Sequence, residues 1–544
     1  MRLLLACEFF SPSVGGVQEV MRQLAEHFVR FGHQVTVATT RLPERDFSSL
    51  HGVQIVGFDI AGNAVRGMAG EVERYREFVR TFACDALMVK AAQQWTFDAL
   101  WPVLDEIRCR KVFIPCGFSG LYEPAYQDYF RALPAVLRKW DHLIFYAEDY
   151  RDVNYARSHG IDTFTILPNG ASELEFDAEP DPSFRRRHGI PEDSFLLLTV
   201  GSLTGMKGHR EVAEAFARLK LKGGRHATLL LNGNEPPRPP VAPPPMPAAA
   251  NSGEDCMSAT ARAQAAAAMA QGPDPVLPGM FGRAVRVYRS EGFGGVGRRF
   301  RNYASRAGNA AVRTGKRVFG PVKIVSTPLR VGVRAARISL RLAGNVRREG
   351  VAATALMVHR GVYERTRHRR FWTMLPEHWQ PQSQSYTLQQ WIAAANRRSP
   401  TTKLALHTNY PRAELVQAYL AADLFVFASN IEYSPLVLYE AAAAGTPFLT
   451  VPVGNAQEIA RWTGAGVVCA APRDERGYTR AKPDELARAI AELAEQPERL
   501  RTLGSTGRRR WRANFSWDVI ARRYEAILQD RAEPCRQMVV REEA

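Results

Sequence analysis

The chain has 544 residues, 46% of them hydrophobic and 23% charged, the composition of a soluble globular protein large enough for two or more cores. Its net charge of +17 is concentrated: residues 281–370 hold 22 Lys and Arg against 3 Glu, a net of +19, which leaves 50 basic and 52 acidic residues elsewhere. The seven cysteines are odd in number and scattered, with no Cys-x-x-Cys pair, which argues against a disulfide framework or a zinc site; no run reaches the roughly 20 apolar residues of a membrane span, and the first residues lack the pattern of a secretory signal, so none is expected.

Leu3 to Ala6 is a short, wholly apolar run, as a parallel strand buried on both faces requires. A turn-rich loop follows from Ser11 to Gly16, and Val17 to Arg30 then shows helical spacing, with Val20, Leu24 and Phe28 on one stripe. Gly32-His33 ends that helix and Val35 to Ala38 returns as a strand, completing one βαβ unit. Further strands are expected at Val53–Val56, Ala86–Val89, Val112–Ile114, Leu143–Tyr146 and Phe164–Leu167. A second series begins with a strand at Phe195–Val200, a helix from about His209 and a strand at Ala227–Leu231. The rhythm then breaks: Pro236 to Pro247 carries eight prolines in twelve residues, an extended spacer, and an Ala-rich low-complexity stretch follows. It resumes with strands at Leu404–His407, Leu424–Ala428, Phe448–Val451 and Gly466–Cys469. Trp517, Ile520, Tyr524, Ile527 and Leu528 mark an apolar stripe on a last helix that Ser516 can cap.

The expected organisation is two Rossmann-like parallel-sheet domains facing a cleft. The first spans 1–180 and the second 181–234 with 380–510. Residues 235–271 are read as a disordered linker, 272–379 as a basic amphipathic insertion and 511–530 as a helix packing back toward the first domain.

The strongest chemical signal is the run from Glu432 to Glu440, followed by Ala-Ala-Ala-Ala-Gly445-Thr-Pro447. Glu432 falls in the loop after a strand and Glu440 inside the next helix. Ligands of open parallel sheets bind at that edge, where carboxylates accept hydrogen bonds from sugar hydroxyls and free helix amides face an anion. Gly15 and Gly16 supply a similar approach in the first domain, or simply a tight turn.

The sequence resembles the family-4 (group 1) retaining glycosyltransferases of the GT-B fold. The Glu-x7-Glu motif carries the likeness, with Gly15-Gly16, Gly32-His33-x-Val35, Pro168-Asn169-Gly170, Gly201-x-Leu203, Lys207-Gly208, Ala422-Asp423-Leu424 and Phe515-Ser-Trp517 in order. The resemblance implies that Glu440 holds the donor ribose, Glu432 holds the transferred sugar, and the backbone around Ser434, Pro435 and Leu436 contacts sugar or phosphate through the amides there. It implies that Lys207 neutralises the diphosphate, that the donor is a nucleoside diphosphate sugar bound as substrate rather than cofactor, and that no metal is expected. The acceptor it implies is a hydroxyl of a cell-envelope glycan or lipid-linked precursor, on the cytoplasmic side.

Two positions depart from the family pattern. Ser202 stands where an arginine often joins the lysine, and Cys116-Gly117 replaces a His-Gly pair. Cys116, Ser202 and Asn169 are therefore pocket-lining candidates, each with an ordinary structural role as the alternative. Those departures leave open a catalytically weak GT-B scaffold or membrane-docking protein; a GT-B enzyme of another kind, such as a nucleotide-sugar epimerase or a phosphorylase, is the second alternative. The segment 281–370 mixes arginines and apolar stripes at helical spacing, which suits an anionic membrane surface better than nucleic acid; a protein-docking role is the other reading.

Overall fold

The computed structural model describes residues 1–234, 387–398, 402–538 and 540. The expected linker and basic insertion, and with them the membrane-surface reading of 281–370, lie outside the described residues. Everything below belongs to one compact unit formed by Met1–Arg238 and Ser385–Ala544.

The N-terminal lobe is built on β1 (Arg2–Ala6), β2 (Gln34–Thr40), β3 (Ser49–Leu50), β4 (Val53–Phe58), β7 (Ala86–Lys90), β8 (Arg110–Ile114), β9 (His142–Phe145) and β10 (Phe164–Ile166). They form one sheet in the order β10-β9-β8-β7-β1-β2-β4-β3, parallel except for β3 on β4. A separate hairpin, β5 (Ile60–Asn63) with β6 (Gly67–Gly70), was not legible, because its short glycine-bearing strands show no alternation. Helices α1 (Gly16–Arg30), α2 (Val72–Thr81), α3 (Gln127–Leu137) and α4 (Arg151–Ser158) connect the strands. β1 and β7 bury nearly every side chain, which is why they read as unbroken apolar runs.

The C-terminal lobe contains β11 (Phe195–Val200), β12 (Ala227–Asn232), β13 (Lys403–Thr408), β14 (Leu424–Phe427), β15 (Phe448–Thr450) and β16 (Gly466–Val468). All neighbours are parallel, in the order β13-β12-β11-β14-β15-β16. Its helices are α5 (His209–Arg218), α6 (Leu388–Arg398), α7 (Arg412–Ala421), α8 (Leu436–Ala444), α9 (Ala456–Thr463), α10 (Pro483–Ala494) and α11 (Pro497–Asn514). β12 ends at Asn232 and α6 begins at Leu388, so the interruption falls in a strand-to-helix connection.

The chain crosses back at Phe515–Trp517. There Ala171 donates to the Phe515 carbonyl (3.0 Å) and its own carbonyl accepts from Trp517 (3.2 Å). The last helix, α12 (Trp517–Leu528), starts at Ser516, whose hydroxyl accepts the Val519 N–H (3.4 Å). Its stripe of Trp517, Ile520, Tyr524 and Ile527 packs with Leu3, Leu24 and Phe28 in the core of the N-terminal lobe. His33 pairs with Glu525 of this helix (2.7 Å), so its place is structural.

Candidate active site

In the second sheet the strand order reverses between β11 and β14, adjacent strands whose connections leave to opposite sides. Open parallel sheets bind their ligands outside the carboxyl edge at such a switch point. Lys207 follows β11 and Glu432 follows β14, and they meet: Lys207 Nζ lies 2.5 Å from Glu432 Oε1. The two loops are bonded together. The Met206 carbonyl accepts the Asn430 N–H (2.8 Å), and Ser429 Oγ can donate to Met206 O (3.1 Å) or to Glu432 Oε1 (3.3 Å). Gly208 makes this approach feasible. Its φ is +72°, and a Cβ there would sit 1.9 Å from the Ala428 carbonyl oxygen.

Glu440 lies in the second turn of α8 and is buried. Its Oε1 accepts from Arg412 Nη2 at 2.7 Å, and Arg412 also grips Glu175 through Nε (3.0 Å) and Nη2 (2.6 Å). Burial opposes the charge on Arg412, but Glu440 and Glu175 outweigh it and raise its pKa. Sequence reasoning missed Arg412. Its one signal was its position, the first residue of α7 after β13, at the same sheet edge.

Pro435 caps α8 and Leu436 opens it, so the helix's free amides stand beside the Glu432 loop. The Ser434 carbonyl accepts from Asn169 Nδ2 (3.1 Å), which ties the turn after β10 to the motif. Gly15 caps α1 in extended backbone and Gly16 starts the helix; a Cβ at Gly16 would meet nothing within 4 Å, so that position faces open space. Ser202 lies in the loop from β11 to α5, five residues before Lys207. Cys116 follows β8; burial raises the pKa of its thiol against the opposing charge of Lys90. His209 is a buried helix-start residue whose pKa burial pushes down to about 4, leaving it neutral. Among the described residues no three His, Cys, Asp or Glu side chains converge as a metal-binding group.

The residue inside the motif that sequence reasoning overlooked is Tyr433. It leaves the C-terminal lobe and lies against Tyr146 and Tyr150 of the other, with ring centroids 5.4 and 4.8 Å away. Its hydroxyl accepts the Tyr146 N–H (2.9 Å) and donates to Asp152. Burial raises the Asp152 carboxyl to about 6, partly offset by the bonds from Tyr433 and from the Gly117 and Val153 amides. Three further contacts close this seam. Tyr150 Oη donates to the Glu432 carbonyl (2.8 Å), Asn455 Nδ2 donates to the Tyr146 carbonyl (2.7 Å), and Glu458 accepts the amides of Glu148 and Asp149 (2.9 Å each). Burial raises the Glu458 carboxyl to about 7.

Known proteins share this architecture. Sucrose-phosphate synthase from Thermosynechococcus elongatus superposes over 97% of this chain and 98% of its own, with a TM-score of 0.54 and 16% identity. The fold is GT-B. A second GT-B structure, HepE of Anabaena solved with UDP and glucose, covers 97% of this chain and 100% of its own, with a TM-score of 0.53 and 12% identity. Residues 384–510 match the family model for glycosyl transferases group 1. That match contains Arg412, Glu432 and Glu440; Lys207 precedes it. Among curated relatives, D-inositol 3-phosphate glycosyltransferase of Thermobispora bispora is 34% identical over 123 residues, 23% of this chain and 26% of that protein. The aligned chain thus spans about a quarter of the length of that relative.

Proposed function

We propose that this GT-B chain is a retaining, family-4 transferase that moves a sugar from a nucleoside diphosphate to a hydroxyl of a cell-envelope glycan or lipid-linked acceptor. The observation that carries the reading is the meeting of Lys207 and Glu432 at the switch point, from positions 225 residues apart in sequence. In the reaction the anomeric carbon–phosphate oxygen bond breaks and the bond to the acceptor oxygen forms. The departing diphosphate keeps the electron pair, and its oxygen takes the acceptor proton on the same face of the sugar.

The residues divide this work. Lys207 leaves its ion pair with Glu432 for the diphosphate, where a fixed cation stabilises the developing charge. Glu432 is thereby freed to accept from sugar hydroxyls. The amides at Ser434–Leu436 add fixed dipoles, with Gly16 and the start of α1 on the opposite lobe. Glu440, oriented by Arg412, serves the ribose. No metal is required by this set. Attachment to an anionic membrane through 281–370, on the cytoplasmic face, is part of the same proposal; no described helix is long and apolar enough to cross a membrane.

A thermal-shift screen of UDP-, GDP- and ADP-sugars tests it. A ligand at 100 times its dissociation constant adds about 2.7 kcal/mol of stability. One of these donors should raise the melting temperature of the wild-type chain, and Glu440→Ala should abolish the rise while the fold persists. A Glu440→Ala chain with the full rise would place the donor elsewhere.

A further inference from the structure

A cavity of about 520 Å³ lies where the two lobes meet. Tyr122, Tyr150, Arg151 and Tyr155 line it from one lobe; Arg473 and Arg476 line it from the other, on a turn closed by a bridge between Arg473 and Thr479. Lys207, Glu432 and Glu440 are not in its lining. The connection to them is Tyr150, whose hydroxyl donates to the Glu432 carbonyl (2.8 Å) while accepting from Arg151 Nη2 (2.8 Å). The arginine-bearing turn is tied to the same loop, since the Thr479 N–H donates to the Asn430 carbonyl (2.8 Å).

Arg151, Arg473 and Arg476 make no ion pair among the described residues. Arg151 bonds only to the Tyr150 hydroxyl and, at 3.5 Å, to the Ser119 carbonyl, and lies over the Tyr122 ring (5.8 Å) and the Tyr150 ring (5.1 Å). Three acids share the lining, and none of them is within ion-pair distance of these arginines. Asp149 accepts from Asn154 Nδ2 (2.8 Å), Asp474 accepts the amides of Arg476 (3.0 Å) and Tyr478 (2.8 Å) of its own turn, and Glu475 is exposed. A guanidinium fork kept free beside aromatic rings matches a planar or tetrahedral oxyanion on a ligand with an apolar face.

We propose that this cavity receives the acceptor and that Arg151, Arg473 and Arg476 read an oxyanion that the acceptor carries, a phosphate or a carboxylate. This rests on the transferase reading: the acceptor would lie beside the Glu432 loop, one hydrogen bond from the residue that holds the transferred sugar. The arginines act by binding and positioning, and the selectivity they confer is for charged over neutral acceptors.

Calorimetric titration of the full chain with inorganic phosphate, and separately with glucuronate, tests it. The titration uses Lys207→Ala, which removes the donor site's diphosphate contact. Saturable binding is expected to survive in that background and to weaken at least tenfold when Arg151→Ala and Arg473→Ala are added. Arg151→Lys with Arg473→Lys, which keeps charge without the fork, should bind at an intermediate level. The tighter of the two probes identifies the oxyanion. Absence of saturable binding in the Lys207→Ala chain, or binding indifferent to both arginine changes, overturns the proposal. The transferase reading is judged separately by the nucleotide-sugar thermal shift of the Arg151→Ala, Arg473→Ala chain with Lys207 intact, which should equal that of wild type. A wild-type chain with no such shift sinks that reading instead.

Discussion

Replacing Gly208 with alanine probes the contact that brings Lys207 to Glu432. At its φ of +72° an L-residue costs roughly 1–2 kcal/mol. The added Cβ would also lie 1.9 Å from the Ala428 carbonyl oxygen, where real contacts stay beyond 3.0 Å. That oxygen is backbone at the end of β14 and cannot rotate away, so the loop must retreat by about 1 Å. Overpacking of this kind costs roughly 1–3 kcal/mol more. Together these make about 2–5 kcal/mol, and at about 2–4 °C per kcal/mol for a lobe of this size the melting temperature should fall by about 4–20 °C. Gly205→Ala is the control. It lies in the same loop with φ +79°, and its Cβ would meet nothing within 4 Å. Only the backbone cost applies there, so the fall should be about half as large or less. Thermal melts followed by circular dichroism measure both. Equal falls for the two variants would refute the Gly208–Ala428 approach and the anchoring of Lys207 that depends on it.

Arg412→Ala strips the buried Glu440 of its cation and should cost roughly 1–3 kcal/mol in urea denaturation, with Arg412→Lys recovering part; an unchanged midpoint contradicts the pairing. Tyr433→Ala removes the ring packed between the lobes, so amide hydrogen exchange at residues 146–150 should rise while exchange in β12 stays the same. The folded pKa of Glu458, about 7, exceeds its ordinary 4.5, and that of Asp152, about 6, exceeds 3.8. The folded state therefore holds more protons between those limits, and the stability contributed below the lower value is lost as pH rises through the upper one. Glu458→Gln should thus gain on wild type in melting temperature from pH 4.5 to about 7; a constant difference across that range would show that Glu458 is not buried against the Glu148 and Asp149 amides.

The legible part of the molecule was what repeats locally. Leu3–Ala6, Phe195–Val200 and Ala227–Leu231 are buried on both faces, so apolar runs marked them directly. Glu432 and Glu440 were legible because both flank the turn from a strand into a helix at the sheet edge, whereas Lys207 was named only through the family resemblance. Arg412, Glu458 and Tyr433 were not. Arg412 acquires meaning only through Glu175 and Glu440, and Glu458 only through amides about 310 residues earlier; no local pattern announces either partner. Tyr433 was hidden differently: inside a motif it passed for spacing, whereas it lies between the lobes against Tyr146 and Tyr150. The β5–β6 hairpin escaped because glycine supplies no alternation to read.

The direct test is single-turnover cleavage of the donor that gives the largest thermal shift, compared between the wild-type chain and Lys207→Ala. Loss of the fixed cation at the diphosphate should lower the rate by about 10²–10³, or about 2.7–4 kcal/mol, with the circular dichroism spectrum unchanged. A folded Lys207→Ala chain that cleaves the donor at the wild-type rate would mean that the switch point between β11 and β14 is not where the reaction happens.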